Sequence, residues 1–460
     1  LELGCGDGGN IIPLAIAHPH SSFVGVDLAK VHIDTGTALA GELGIGNLRL
    51  EACSFVDFED EAGGFDYIIV HGLMSWVTPN LQALLFATCK RLLAPTGVAF
   101  ISYNTYPGWF MQHSIRQLLR HHNRDVEDGE VVLERSRQLL DVLIQTVPEA
   151  ESAYRDYLES VGAVARNPER KFYFAHEYLE DENHPFYVRD FIERAGQHGL
   201  QYLADADLVD MELDNMPSKP ADLLEAIAED RSHRLQILDF AVNRKFRQSL
   251  LCHAEQRVRD QPDLARVEEM YVESSLDPAV SDPDIESVGT LGFNDRQGRT
   301  IEVDQPIVKA ALIRFCEESR QPIAFEALLD WARQRIAATV APGSDQDLEE
   351  REVLAVILGR VHLADMVGLR ASPPCWALEA GERPKASPLT RLCATRGQPT
   401  ISLRHRQLAL DNQAVCDVLE LLDGTRDRAQ VLAHFEGQLS AEELAKILDL
   451  SAHNAVLMKG

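Results

Sequence analysis

Over residues 1–105, short apolar runs alternate with stretches whose apolar residues recur at helical spacing. The runs LEL, FVGVD, NLRLEAC, DYIIVHG and VAFISYN predict strands, and the helices between them are expected to begin near Ile11, Val31 and Leu81. Strands separated by helices and short loops imply an α/β arrangement, a parallel sheet covered on both faces with any ligand at the carboxyl ends of the strands. From Trp109 to about Gly162 the period is helical instead, with stripes at Ile115, Leu118 and Leu119 and then at Leu139, Leu140, Leu143 and Ile144. KFYFAHEYL follows with a strand-like pattern, then a helix at FYVRDFIERAGQHGL and a strand at LQYLADADL. These strands are expected to close the sheet, which leaves the helices as a lid-like insertion at about 109–168.

The remainder reads as mostly helical. A helical segment is expected from about Ala221 to Val258, with Leu223, Leu224 and Ile227 on one face and Phe246, Leu250 and Leu251 on another. DPAVSDPD (Asp277–Asp284) has a linker composition. FNDRQGRTIEVDQP predicts a hairpin leading into a helix capped by Asp304. The helices PIVKAALIRFCEES, FEALLDWARQRI and LEEREVLAVILGRVHL suggest a small winged-helix-like unit. After a second linker candidate, RPKASP, the pattern of ISLRHRQLALDN, AVCDVLELLDG and RAQVLAHF suggests another such unit. The expected domains are 1–213, 214–284 as a helical connecting region, 285–378 and 388–460.

Composition narrows the classes. The 460 residues carry 72 acids against 44 lysines and arginines, a formal charge of −28, which works against nucleic-acid binding and suits a basic partner. A DNA reading of the winged-helix-like part is disfavoured for the same reason. No apolar run approaches a membrane span, so no membrane insertion is expected. Eight scattered cysteines without a C-x-x-C pair argue against a zinc site or a disulfide framework and make a reducing cytoplasm the expected compartment. No metal ligands are expected. The chain starts at Leu1 inside its first strand and is read as a fragment at its N-terminus.

The candidate chemistry begins in LELGCGDGGN. Glu2, Gly4, Gly6 and Gly8 follow the spacing acid, x, Gly, x, Gly, x, Gly, which lets a backbone turn sharply off a strand and approach a ligand closely. Asp27 ends FVGVD about 20 residues on, where a nucleotide fold places the acid that binds ribose hydroxyls. The glycines alone also fit a dinucleotide site, or a crevice with no ligand.

Glu2 before the first glycine, and the order FDYIIVHG, a helix ending CKRLLAPTG, then GVAFISYN, resemble S-adenosylmethionine-dependent methyltransferases. With YNTYPGW at Tyr103 to Trp109, FRQSLLCH at Phe246 to His253, TIEVDQPIVKAAL and LRHRQLAL, the likeness extends over nearly the whole chain. It is to bacterial methyltransferases with a methyltransferase regulatory domain, a group that includes rickettsial protein-lysine methyltransferases. The resemblance implies a Rossmann-like methyltransferase sheet with a helical insertion, followed by mostly helical and winged-helix-like C-terminal domains. The first expected domain would then bind S-adenosyl-L-methionine, with a regulatory-domain-like part at about 126–213. Its implied cofactor-binding residues are Glu2, Gly4, Gly6, Gly8, Asp27, Leu28, Ser54, Phe55 and His71, and its implied substrate class is a protein with accessible lysines. Ser54 stands where such enzymes often carry an acid for the adenine amine, and APTG replaces the usual Pro-Gly-Gly before strand five.

Methyl transfer to an amine requires alignment of a lone pair with the methyl, and a lysine must first lose its proton. Asn104 and Tyr106 are the candidate catalytic residues. Trp76, Tyr103, Tyr106 and Trp109 read either as a channel for an alkyl stem and cationic head or as packing beneath the helices. Asn104 reads as an amine-orienting group or as a turn residue. His71 reads as a cofactor wall or a core histidine, with general base a third reading. His176 and Glu177, if in a strand, face opposite ways. The acids between Glu177 and Asp214 read as a solvated surface or as a cleft lining that attracts lysine-rich segments. Small-molecule N- or O-methylation and a non-catalytic cofactor-binding scaffold remain competing functions.

Overall fold

The computed structural model describes residues 1–60, 64–148, 152–211, 226–318, 320–338 and 340–459. Its largest sheet has the strand order β3-β2-β1-β4-β5-β7-β6. The strands are β1 (Glu2–Leu3), β2 (Phe23–Asp27), β3 (Leu48–Ala52), β4 (Phe65–Val70), β5 (Leu93–Asn104), β6 (Leu200–Asp205) and β7 (Phe246–His253). By internal contacts the chain divides into two compact units, Leu1–Ser54 with Asp207–Pro220 and Val258–Gly460, and Phe55–Ala206 with Ala221–Arg257. Among the described residues, no helix is long and apolar enough to cross a membrane.

In the first unit, β1, β2 and β3 are parallel, with Glu2 opposite Gly25 and Val24 opposite Arg49. Helices α1 (Ile11–Ala17) and α2 (Lys30–Glu42) follow β1 and β2, as the periodicity predicts. Toward the C-terminus, Tyr271–Ser274 pairs with Ile323–Ala324 and Val367–Arg370. Helices Pro306–Glu317, Phe325–Arg335 and Asp345–Leu363 bury Leu312, Phe315, Leu328 and Leu358 in one core with this part of the chain.

Three expectations fail here. Asp277–Pro278 is not linker but a short strand paired with Phe293 and Asn294, and Ile285 lies in the core, because isolated apolar anchors outweigh the polar composition around them. The buried Lys309 ammonium fixes the same stretch by donating to the carbonyls of Ser287, at 2.7 Å, and Gly289. Asp304 does not cap the next helix: Gln305 holds that position without a side-chain bond, and Pro306 opens the first turn, where a missing N–H costs nothing. RPKASP is likewise packed, since Lys385 and Ala386 bridge to Asp423 and Leu457 and Ser387 caps Pro388–Arg396.

In the second unit β4 and β5 are parallel, and β7 runs antiparallel to both β5 and β6. The expected helix through Phe246 and Leu251 is therefore a strand. Its buried positions alternate as Arg247, Ser249 and Leu251, so polar residues occupy two inward places and conceal the two-residue period. Leu223 and Leu224 of that segment lie outside the described residues. KFYFAHEYL is also corrected, from strand to helix: Phe174 and Tyr178, four apart, are buried, whereas Phe172 is exposed.

Among the described residues the helices of this unit are α3 (Pro79–Leu92), α4 (Phe110–Asn123), α5 (Gly129–Thr146), α6 (Ser152–Arg166), α7 (Lys171–Leu179), α8 (Val188–Gln197) and α9 (Arg231–Val242), which carries Asp239. Ile115, Leu119, Leu133, Leu140, Leu158, Phe174 and Tyr178 join α4 to α7 in one apolar cluster. Arg247 is the polar centre of the closing strands. It donates to Asp239 at 2.7 and 2.9 Å and pairs with Asp205, which also accepts from Ser249 Oγ at 3.0 Å. All three charged groups are almost wholly removed from water. Removing one member strands the opposite charge, so Arg247→Met should destabilise this unit by about 3–5 kcal/mol in urea unfolding. A loss below about 1 kcal/mol would contradict a structural role for the network.

Candidate functional site

Glycine is required in the loop after β1 because Gly4, Gly6 and Gly8 have φ of 75°, 56° and 85°. The loop is tied to β2: Gly4 and Cys5 donate their N–H groups to Val26 O at 2.8 and 3.1 Å. Gly8 O then accepts from Ile12 N at 2.9 Å, starting α1. A β-carbon on Gly36 of α2 would lie 2.4 Å from Asp7 O, so that helix can rest against the loop only as glycine.

Asp27 reinforces the turn. Its Oδ2 accepts from Gly6 N at 2.9 Å and its Oδ1 from Ala29 N at 2.8 Å. Each carboxylate oxygen still has capacity for another donor. Leu28 beside it is 78% exposed, an unfavourable state for leucine in water and one that a ligand face would relieve. Ser54, just past β3, is half-buried, and Cys53 N reaches Asp27 O at 3.1 Å.

Glu2 is 3% exposed. Its Oε1 accepts from Asn10 Nδ2 at 2.8 Å, but Oε2 is buried without a partner among the described residues. Burial pushes the carboxyl up to about 7, against the lowering effect of the Asn10 amide. A buried acceptor of this kind fits an ammonium group, which would supply both the missing hydrogen bond and the missing charge. Asn10 escapes sequence reasoning because its position before α1 marks a cap, and here its side chain makes no cap bond and holds Glu2 instead.

The second unit contains the candidates at the ends of β4 and β5. His71 is exposed, which removes the core reading; its ring lies 6.0 Å from Phe100 and edge-on to Phe246, and desolvation keeps its pKa below the usual value. Phe55 is half-buried. Asn104 is 5% exposed and ends β5; its N–H donates to Ser75 Oγ at 2.8 Å and its carbonyl accepts from Phe186 N at 3.0 Å. Its side-chain Nδ2 is buried without a partner among the described residues. Tyr106 is half-buried, stacked on Phe110 at 4.4 Å and beside Tyr187 at 5.3 Å, and burial raises its hydroxyl pKa so that it stays protonated at neutral pH.

The four aromatic residues therefore divide. Tyr103 is core: it is fully buried, stacked on Phe191 at 4.0 Å and hydrogen-bonded to Ser249. Trp109 is also buried, with its edge against Trp76. Trp76 stays half-buried, with the His176 ring at 4.0 Å and the Arg116 guanidinium at 5.5 Å. His176 and Glu177 lie on a helix, about 100° apart in direction and not opposed as in a strand. Glu177 accepts from Gln112 at 2.8 Å. The acidic run is mixed in role, since Asp205 is buried in the Arg247 network while Glu180 and Asp181 are exposed; Glu212 and Asp214 lie outside the described residues. Asn183 was missed entirely. It is 6% exposed with both amide atoms unpartnered among the described residues, in a segment held by His184 N to Ser75 O at 2.7 Å.

Comparison with known proteins gives three family matches: a methyltransferase domain over residues 1–97, a predicted methyltransferase regulatory domain over 170–253, and the PKMT C-terminal winged helix domain over 382–452. The regulatory match spans α7, α8, β6 and β7, so this segment supplies strands of the large sheet. The uncharacterized protein RP789 of Rickettsia prowazekii is 30% identical over 452 residues, covering 96% of this chain and 80% of the relative. RP028 of the same organism is 36% identical over 203 residues, 44% of this chain and 81% of the relative. The structure of PKMT2 from Rickettsia typhi in complex with AdoHcy matches with a TM-score of 0.82 and 26% identity, over 100% of this chain and 93% of that one.

The raised Glu2 pKa has a signed consequence. The folded state favours the neutral carboxyl, so its contribution is fully present below about 4.5 and is lost as pH rises to about 7. Glu2→Gln, neutral throughout, should gain stability relative to wild type across that window, by on the order of 2–3 kcal/mol in urea unfolding between pH 4.5 and 8. A constant difference across the window would show that Glu2 is not desolvated.

Proposed function

We propose that this chain, which belongs to the family of S-adenosylmethionine-dependent methyltransferases with a methyltransferase regulatory domain, methylates lysine amines of a protein substrate. The enzyme class follows from the family and the fold. The observation that carries the cofactor assignment is the unpartnered Glu2 Oε2 beside the glycine loop, a place for the ammonium of an amino acid end. Asp27 retains acceptor capacity for ribose hydroxyls, and the loop's left-handed glycines leave its backbone open to a ligand. Leu28 and Ser54, of the same unit, are assigned to the same cofactor.

S-adenosylmethionine supplies an electrophilic methyl carbon, so the protein's task is to present a neutral, aligned nucleophile. A free lysine with a pKa of about 10.4 is almost wholly protonated at neutral pH and must release that proton to solvent first. The partly exposed rings of Trp76, Tyr106 and Tyr187 offer an apolar wall that disfavours the charged amine. Asn104 has an unpaired amide at the end of β5, and turned with its oxygen toward the amine it would orient the lone pair. The protonated Tyr106 hydroxyl is a second polar contact for the amine. A protein acceptor is supported by the likeness to PKMT2 and to the PKMT winged helix domain. The net charge of −28 suits a basic polypeptide and not a nucleic acid, and eight free cysteines suit a reducing cytoplasm.

Incubation with methyl-labelled cofactor and a lysine-bearing protein should place label on lysine side chains, as read by peptide mass spectrometry, and prior chemical blocking of lysines should abolish it. Asn104→Ala and Tyr106→Phe should lower kcat by about 10- to 100-fold while AdoHcy affinity stays within about twofold. Label confined to small metabolites would overturn the substrate assignment, and parallel losses of affinity and turnover would remove these residues from the acceptor side.

A further inference from the structure

Asn10, which holds Glu2, is itself held from the far end of the chain. The hairpin of Thr400–Ile401 and Gln407–Leu408 turns through His405, at φ 59°, closed by Ser402 N to Arg406 O at 2.9 Å. His405 Nε2 lies 2.6 Å from Asn10 Oδ1, and Asn10 Nδ2 lies 2.8 Å from Glu2 Oε1. An amide oxygen only accepts, so His405 Nε2 carries the hydrogen in this contact. Because an amide has one oxygen end and one nitrogen end, engaging the oxygen on His405 turns the nitrogen toward Glu2.

The hairpin is seated firmly enough to do this. Trp376, Leu403 and Ala455 form a buried cluster against which the partly buried Ile16 and Ala17 of α1 pack, and Leu403 N donates to Ala455 O at 2.9 Å. Arg396 pairs with Glu42 of α2 at 2.6 Å. All of these residues belong to one compact unit.

We propose that His405 is a positioning residue of the cofactor site: it fixes the Asn10 amide so that Glu2 Oε1 is satisfied and Oε2 is left to receive the cofactor's ammonium. Without it the Asn10 amide can turn over, bringing one acceptor against another at Glu2. The other titratable groups around Glu2 are Cys5 and, facing Cys5, Asp27 and Asp7. His405 is exposed, so its effect has the size of a single hydrogen bond and not of a buried charge.

The inference rests on the cofactor reading above, and its test separates the two. AdoHcy is titrated calorimetrically into the full chain at pH 7.5, in two buffers of different ionisation enthalpy, for wild type, His405→Ala and His405→Gln, with thermal unfolding measured in parallel. His405→Ala should bind about three- to tenfold more weakly, as for one net hydrogen bond, and should release more protons on binding because its free Glu2 is more protonated. His405→Gln, whose amide can still donate to Asn10, should restore both quantities toward wild type, a rescue that a loss of packing would not show. Equal affinity and proton release in His405→Ala and wild type would overturn the proposal, as would equal losses in the alanine and glutamine variants. Absence of binding by wild type would overturn the cofactor reading together with this one, whereas wild-type binding with an indifferent alanine variant overturns this one alone.

Discussion

A carboxylate kept from water without a cation is the constraint around which the first unit is arranged. Glu2 sits where β1 gives way to the glycine turn. Three left-handed glycines, the Asp27 bonds to Gly6 and Ala29, and the two N–H groups on Val26 O fix that turn. Gly25 and Gly36 serve the same end from outside it, since side chains there would strike Cys5 and Asp7. Fixing a buried, unpaired acceptor costs free energy in the empty protein, and such a cost persists when a ligand recovers it. In the reading proposed above, the cofactor's ammonium is that ligand.

The second unit meets a different demand. Its β7 strand must lie between β5 and β6 with opposite direction, and Arg247, Asp205, Asp239 and Ser249 specify that placement through hydrogen bonds that a shifted register would break. Tyr103 joins the network through Ser249, which ties β7 to β5, the strand that carries Asn104 at its end. Thus Asn104, proposed to face the acceptor, ends a strand held by charges and keeps an amide nitrogen unpartnered among the described residues.

What could be read from the chain follows the range of the interactions. The first five strands, the helices between them and the glycine turn were legible because periodicity and φ requirements act over a few residues. β7 was not, because Arg247 and Ser249 occupy inward positions where the pattern calls for apolar residues. α7 was misread because its aromatic residues suit strands by propensity, while the packing of Phe174 and Tyr178 against α4 to α6 selects the helix. Glu2 and Asp27 were singled out as candidates through their offsets from the glycines, whereas Asn10 and His405 offered no such offset. Their contact joins positions 395 residues apart, and neither carries a local mark. Asn183 was hidden in the same way, as one polar residue in an acidic segment.

The claim that Glu2 holds the cofactor's amino group is tested most directly by comparing AdoHcy with methylthioadenosine, which shares its nucleoside and thioether but lacks the amino acid end. In calorimetry, wild type should prefer AdoHcy strongly, and Glu2→Gln should lose most of that preference while binding methylthioadenosine about as well as wild type does. A Glu2→Gln variant that discriminated between the two ligands as well as wild type would contradict the account.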